Sequence, residues 1–236
     1  IALAAGEPRA PSAGPPLPNE DHSGARVQSV DNLKVLGIAL TGFAHSHGGR
    51  FPAAAIRHGG KPLLSWRVAL LPYLDADRDA GLYRHFHLDE PWDGPHNKPL
   101  LKEMPPEYAP VVGDNPAPYS TYYQAFVGPG TLFDGDQGTR AADVTDGVGF
   151  TLMVAEAAEP VPWTKPADIA YVPARPLPPL GGQFADGFYV AFADGSARFL
   201  SHKVAPATLR ALIERGDGEP VTFDKLGPWW RPRRQD

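Results

Sequence analysis

The sequence predicts an α+β domain: an N-terminal amphipathic helix and several short helices, then antiparallel strands joined by long loops. Three observations carry this. Apolar residues recur at helical spacing in the first half of the chain and again near its end. Short runs of strand-forming residues fill the second half. The 236 residues include 28 prolines and 25 glycines, which excludes long uninterrupted helices, because proline removes a helical donor and clashes with the preceding turn. Helices first and antiparallel strands later is the order of an α+β fold. There is no Gly-x-y period, so collagen is excluded. An apolar fraction of 42 % against 21 % charged residues supports a packed core rather than disorder throughout.

Residues 1–26 are rich in Pro, Ala and Gly and include Pro15, Pro16, Leu17 and Pro18. This arm is expected to be extended and polyproline-like. It needs a surface to lie on, either its own domain or, as we read it, a neighbouring chain. Asp31 has the chemistry of a helix N-cap. Leu33, Leu36, Gly37 and Leu40 follow at i, i+3, i+4 and i+7, which predicts a helix over 28–45 that closes near Gly48-Gly49. Ser65 is placed to cap a second helix in which Trp66, Ala69, Leu70 and Tyr73 share a face, and which Pro72 kinks or ends. Residues 77–86 read as a third short helix and 96–104 as a fourth, ahead of Pro105-Pro106.

Beyond that point the periods shorten. Residues 119–127 are rich in Tyr, Thr and Phe, which suit a strand, and 150–155 form a compact apolar run that suits a buried one. The tetrapeptide Phe-Ala-Asp-Gly occurs at 184–187 and again at 192–195. Each Asp-Gly supplies the positive φ that a tight hairpin turn needs. Strands are therefore expected over 188–193 and 196–200, as a β-meander. Residues 206–215 predict a final helix, with Pro206 early and Gly216 as its C-cap. The chain divides into the arm 1–26, a domain over 27–222 and a Trp/Pro/Arg-rich tail over 223–236.

The 22 basic and 27 acidic residues give a net charge of −5. The basic residues form no stripe except Arg231, Arg233 and Arg234, so a nucleic-acid partner is not expected. Absence of cysteine excludes disulfides, thiolate metal sites and thiol catalysis. No apolar stretch approaches the roughly 18 to 20 residues that span a bilayer; the longest, 35–44, is interrupted by two glycines. The first six residues, Ile1-Ala-Leu-Ala-Ala-Gly6, have the small, apolar character of the region around a signal-peptide cleavage site. Export to the periplasm or cell surface is expected.

Several constellations carry chemistry. His45-Ser-His47 and His85-Phe-His87 would point both rings to one face of a strand, where zinc or copper binds. In a helix such residues diverge by about 200°. Both pairs are read at helix ends, as surface or capping histidines. Asp134-Gly-Asp136-Gln-Gly138, with Asp143 and Asp146 beyond, has the look of a calcium loop. Thr145 stands where an EF-hand carries glutamate, so an acidic glycine-rich turn is expected, with calcium in the Asp134–Asp146 loop as the alternative. Proline precedes tryptophan at Trp92, Trp163 and Trp229. Such restrained indoles make sugar platforms or protein hot spots. Trp66, Trp92 and Trp163 are expected to lock loops onto the core, and Trp229 and Trp230 to form an interface. Lys165 and Asp168 are expected to form a structural ion pair. No nucleotide-binding glycine loop or nucleophile elbow is present, so no catalytic residue, cofactor or metal ligand is assigned.

Five phrases match a known family in order. They are Asn32-Leu-Lys-Val-Leu-Gly-Ile-Ala-Leu40 with His47-Gly and Phe51-Pro52; Ser65-Trp-Arg-Val-Ala-Leu-Leu-Pro-Tyr-Leu74; Glu90-Pro-Trp-Asp-Gly-Pro-His-Asn97, which holds Trp92 and Asp93; Asp146-Gly147 through Glu156, then Val161-Pro162-Trp163-Thr164-Lys165-Pro166-Ala167-Asp168; and Phe192-Ala-Asp194-Gly195-Ser-Ala-Arg-Phe199. Over about 31–222 the chain resembles the large pilin-like family of planctomycete bacteria, a domain of unknown function. Its members often carry a prepilin-type leader and a signature of histidine, nine residues, then Asp-Gly.

The resemblance implies an exported, pseudopilin-like domain with the N-terminal helix packed on an antiparallel sheet, and makes Trp66, Trp92, Asp93, Trp163, Thr164, Lys165, Pro166, Asp194 and Gly195 structural signature residues. It also raises calcium, which some pseudopilins hold in a loop near the sheet. The chain departs from the family in three ways. The arm stands where the hydrophobic half of a pilin helix is expected. Phe184 occupies the position of the signature histidine, and Ala109-Pro110 replaces a cysteine found near Tyr108 in relatives. The expected role is a non-enzymatic, exported structural or interaction subunit of a larger assembly, docking onto other protein chains through its terminal arms. The alternatives are a glycan-binding module using the Pro-Trp steps and a metal-dependent hydrolase built on the histidine pairs.

Overall fold

Helix α1 spans Ser23–Ser46 in a computed structural model that describes residues 22–74, 79–113 and 117–222. Residues 1–21 of the arm and all of the tail lie outside these. The buried stripe of α1 is Ser29, Asn32, Leu33, Leu36, Gly37, Ala39, Leu40 and Ala44, the face that the apolar spacing predicts. The helix starts earlier than expected, so residues 23–26 of the supposed arm are helical. Asp31 is not its cap: it lies within the helix, exposed, with Lys34 at 3.1 Å. No proline interrupts the chain from 23 to 46, and Ala25, Arg26 and Gln28 are good helix formers, so nothing stops the helix at 28. It ends where expected, with Gly48 at φ +63° and Gly49 at +80°.

A hairpin that the sequence reading did not place follows: β1 (Ala55–His58) and β2 (Lys61–Ser65). Gly59 and Gly60 join them at φ +57° and +78°, the positive pair that a two-residue hairpin turn requires. The Ser65 side chain then accepts from the Arg67 N–H and caps α2 (Trp66–Ala69). Pro72 has no N–H to continue α2, so the path breaks at Leu70; α3 (Leu71–Leu74), which contains Pro72, and α4 (Asp79–Tyr83) are single turns. The helix expected over 96–104 is a shorter 3₁₀ segment, Lys98–Glu103, ended ahead of Pro105-Pro106.

The main sheet contains β3 (Ser120–Val127), β4 (Leu152–Pro162), β5 (Ile169–Ala170), β6 (Gly187–Phe192) and β7 (Ala197–Ser201). Its order is β5-β3-β4-β6-β7. The β3–β4, β4–β6 and β6–β7 pairs are antiparallel, but after β4 the chain crosses to the short β5, a parallel edge on β3, before it returns to β6, so the expected meander reduces to the β6–β7 hairpin. The second Asp-Gly makes the β6–β7 turn: Gly195 lies at φ +84° and Asp194 Oδ1 accepts the Ser196 N–H at 2.8 Å. The first does not. Gly187 starts β6 without positive φ, and its missing Cβ leaves room for the Leu200 carbonyl and the Phe199 ring.

Strand alternation, shifted in β4 by an irregularity between Leu152 and Val154, assigns each face of the sheet. Tyr123, Ala125, Met153, Tyr189 and Ala191 pack with Leu33, Leu36, Ala39 and Leu40 of α1. Phe126, Leu152, Ala155, Phe188, Val190 and Phe192 pack on the other side with Leu209, Leu212 and Ile213, which belong to α5 (Pro206–Ile213). Burying each of the Leu, Ile, Val, Phe and Met side chains among these contributes about 1.5–3 kcal/mol. The α+β class is as the sequence predicts, with the N-terminal helix on one sheet face and the last helix on the other. Gly216 does not cap α5: Glu214 follows Ile213 directly in extended conformation, where it accepts a hydrogen bond from the Tyr171 hydroxyl. Among the described residues, no helix is long and apolar enough to cross a membrane.

Candidate functional site

Two buried clusters of charged and polar side chains join distant elements among the described residues. The first is built on Arg67, in the first turn of α2. Its guanidinium donates from Nε to the Tyr123 carbonyl at 3.0 Å, from Nη1 to Ser65 Oγ at 2.6 Å and from Nη2 to Asp168 Oδ1 at 2.7 Å. The same Asp168 oxygen accepts from Trp66 Nε1 at 3.0 Å and from the Ala125 N–H at 2.8 Å. Both side chains are buried, at 0 % and 4 % exposure. Burial pushes the Asp168 carboxyl up, against the pull of the Arg67 charge and of its hydrogen bonds. The pair joins α2, β3 and the 163–168 loop into one knot. A buried pair gains its strength from such completeness of hydrogen bonding. Chemically it is closed, with both ions held by protein groups.

The second cluster surrounds Glu156 of β4, which is fully buried. Its Oε1 accepts from Ser29 Oγ at 2.5 Å and from Gln183 Nε2 at 2.8 Å, and its Oε2 accepts from the Tyr189 N–H at 2.8 Å. Ser29 Oγ is also 3.0 Å from the Tyr123 hydroxyl, where either atom can donate. Asn32 donates to that hydroxyl at 3.4 Å. Burial pushes the Glu156 carboxyl up to about 7, although these donors and the Arg26 charge pull the other way. Burial raises the Tyr123 hydroxyl strongly and the Tyr189 hydroxyl to about 12. This is the chemistry of a carboxyl able to change its proton near neutral pH inside the fold.

The tryptophans divide. Trp66 and Trp163 are fully buried. Trp163 donates from Nε1 to the Leu101 carbonyl at 2.9 Å and stacks on Tyr108 at 5.8 Å. Neither offers a ring to a sugar. Trp92 is half-buried, and the Lys165 ammonium stands 5.6 Å over its ring. The ion pair expected between Lys165 and Asp168 is not formed: Asp168 turns inward to Arg67, while the exposed Lys165 keeps its hydration and covers Trp92. Thr164 is buried and its carbonyl accepts the Ser65 N–H at 2.9 Å; Pro166 is half-buried and Asp93 exposed. Asp194 and Gly195 form the turn that lies on Gly37 of α1.

The histidine pairs sit at helix ends. His45 is in the last turn of α1 and His47 is its C-cap, stacked on Phe43 at 3.9 Å. His85 and His87 follow α4, and His87 stacks on His96 at 3.4 Å. In the Asp134–Asp146 loop the carboxylates answer to separate partners. Asp134 meets Arg215 at 3.3 Å and Asp136 meets Arg57 at 2.9 Å. Asp146 accepts the N–H groups of Asp217 and Gly218. Among the described residues, no group of three or more His, Asp or Glu side chains is placed to hold a metal ion. A cavity of about 280 Å³ is lined by Asp146, Phe150, Ala211, Glu219 and Val221 among others, away from both clusters. Pro15, Pro16, Leu17, Pro18, Trp229 and Trp230 lie outside the described residues.

Sequence reasoning missed Arg67 and Glu156 as centres. The signal was present: each is the lone charge in an apolar run, Arg67 within 63–71 and Glu156 within 150–158. A charge there is buried and must find partners. Their partners Ser29, Tyr123 and Gln183 come from distant elements, so no spacing joins them.

No curated protein and no solved structure matches the chain. The profile of a family described as "protein of unknown function (DUF1559)" matches residues 25–178, from the first turn of α1 through β5 and into the loop beyond. That span is more than half of the chain and contains both buried centres, Arg67–Asp168 and Glu156; the chain belongs to the DUF1559 family.

Proposed function

We propose that this protein is a non-catalytic structural subunit, exported to the periplasm or cell surface. Its pilin-like body docks into a larger assembly of protein chains through the segments around Pro15–Pro18 and Trp229-Trp230. One observation carries the reading. Within the family phrases, Trp66, Arg67, Glu156, Trp163 and Asp168 are engaged inside the fold. Arg67 and Asp168 hold each other, Trp66 and Trp163 donate inward, and Asp194-Gly195 shapes a turn against α1. A body of this kind is a frame, and its recognition then falls to what it carries at its ends. A proline-restrained arm loses little entropy on docking, and paired tryptophans are frequent anchors of protein interfaces.

Zero-length cross-linking of the intact chain, with the linked peptides read by mass spectrometry, tests the proposal. Links from residues 1–26 or 223–236 to a neighbouring chain are the expected result. A native preparation that is strictly monomeric, with both ends readily cleaved by protease, would overturn it.

A further inference from the structure

Helix α1 is attached to the sheet in two different ways along its length. From Leu33 onward the contact is apolar: Leu33, Leu36 and Leu40 are fully buried, and Gly37 sits against Gly195. Before Leu33 it is mostly polar and meets two carboxyls, Glu156 and Asp186. Ser29 reaches Glu156 and Tyr123, Asn32 reaches Tyr123, and Arg26 reaches Asp186 at 2.6 Å.

We propose that Glu156 is a proton-operated latch for the first turns of α1, which are held on the sheet when the carboxyl is protonated and open more readily when it is ionised. The hydroxyl relay accepts either state. With Glu156 ionised, Tyr123 donates to Ser29 and Ser29 donates to Oε1. When a proton from solvent adds to Oε1, the carboxyl donates to Ser29 Oγ and Ser29 turns its hydrogen toward Tyr123; the Tyr123 hydrogen is then left without an acceptor, a smaller cost than a buried ion with no counter-ion in contact. The heavy atoms stay in place. The ionised form, however, holds a charge at a site with no exposure, and a buried charge is costly even when hydrogen-bonded. Swinging Ser29 and the first turns of α1 away admits water to that charge. The apolar half of the helix has no such reason to move.

The charged and titratable groups that face Glu156 are Arg26 from α1, Tyr123 from β3, and Tyr189 with the neighbouring Asp186 from β6 and its approach. His22 packs against Phe184 at the mouth of the same region. Arg26 favours the ionised form and is itself paired with Asp186, while both tyrosines stay neutral. Burial puts the titration of Glu156 at about 7, so the latch works across neutral pH. The proposal does not depend on the docking role given above.

Hydrogen exchange of the intact chain tests it, after correction for the intrinsic pH dependence of exchange. From about pH 5.5 to about pH 8 the opening equilibrium of amides 26–32 should rise about ten- to thirtyfold, as linkage between a closed-state value near 7 and an ordinary open-state carboxylate requires. Amides 36–44 should not follow. Glu156→Gln should abolish the rise. Equal change along the whole helix, no rise in the wild type, or a rise that survives the substitution would overturn the latch. If Glu156→Gln fails to fold, carbon-13 titration of Glu156 in the unmodified chain decides: a midpoint near 7 is expected, and one among the ordinary carboxylates contradicts the proposal.

Discussion

Gly37 of α1 and Gly195 of the β6–β7 turn meet backbone to backbone: a Cβ on Gly37 would stand 2.7 Å from the Gly195 carbonyl oxygen. Two phrases far apart in sequence are thus two sides of one contact. The Asn32-to-Leu40 phrase supplies a helix with a gap in its apolar face. The second Asp-Gly supplies a turn narrow enough to enter it.

Gly37→Ala should therefore destabilise the fold by about 1–3 kcal/mol, the usual cost of forcing a methyl into a packed contact. Gly24, in the same helix, has nothing within 4 Å of its Cβ position. There Gly→Ala should be neutral or stabilising by up to about 1 kcal/mol. Thermal or urea unfolding of the two variants, side by side, checks the contrast.

Removing one member of the Arg67–Asp168 pair should be severe. Asp168→Asn leaves the guanidinium buried without its counter-ion, and about 3–5 kcal/mol is expected to be lost. Pairing it with Arg67→Met should recover part of that loss, because the uncompensated charge disappears. A double-mutant cycle by urea unfolding measures the recovery; additive losses would show that the two side chains act separately.

The pH dependence of global stability has a definite sign. A carboxyl raised from 4.5 to about 7 on folding holds its proton in the native state where the unfolded chain has released it. Stability from this group is greatest below about pH 4.5, falls as pH rises toward 7 and is level beyond. The total is roughly 3 kcal/mol. The difference between wild type and Glu156→Gln, measured by urea unfolding from about pH 5 to about pH 8, should carry this slope.

Trp163 and Trp92 should behave differently despite the same Pro-Trp step. Trp163→Ala opens a cavity beneath Tyr108 and Phe86 and should cost about 3–5 kcal/mol. Trp92→Ala loses a half-buried ring and its Lys165 contact and should cost under about 2 kcal/mol. Denaturant midpoints of the two variants test this.

Much of the frame was legible because it rests on local rules. The α1 stripe, the Ser65 cap, the break at Pro72 and the Asp194-Gly195 turn all follow from neighbouring residues. The misses have physical reasons. Asp31 suits a cap, but the residues before it are helix formers too, so the helix runs through it. The first Asp-Gly looks like the second, yet Gly187 is needed for close strand contact rather than for a turn. Gly59-Gly60 carries the hairpin signal, but its strands are too short for alternation to stand out. Neither buried cluster was visible as a cluster. Arg67 with Asp168, and Ser29 with Glu156, are separated by 101 and 127 positions, and only the tertiary fold brings them together.

The solution mass of the intact chain, measured by light scattering together with native-state proteolysis of its two ends, tests the docking role most directly. A species heavier than one chain, with residues 1–26 or 223–236 protected in it, is the expected result. A single-chain mass with both ends freely cleaved would contradict it.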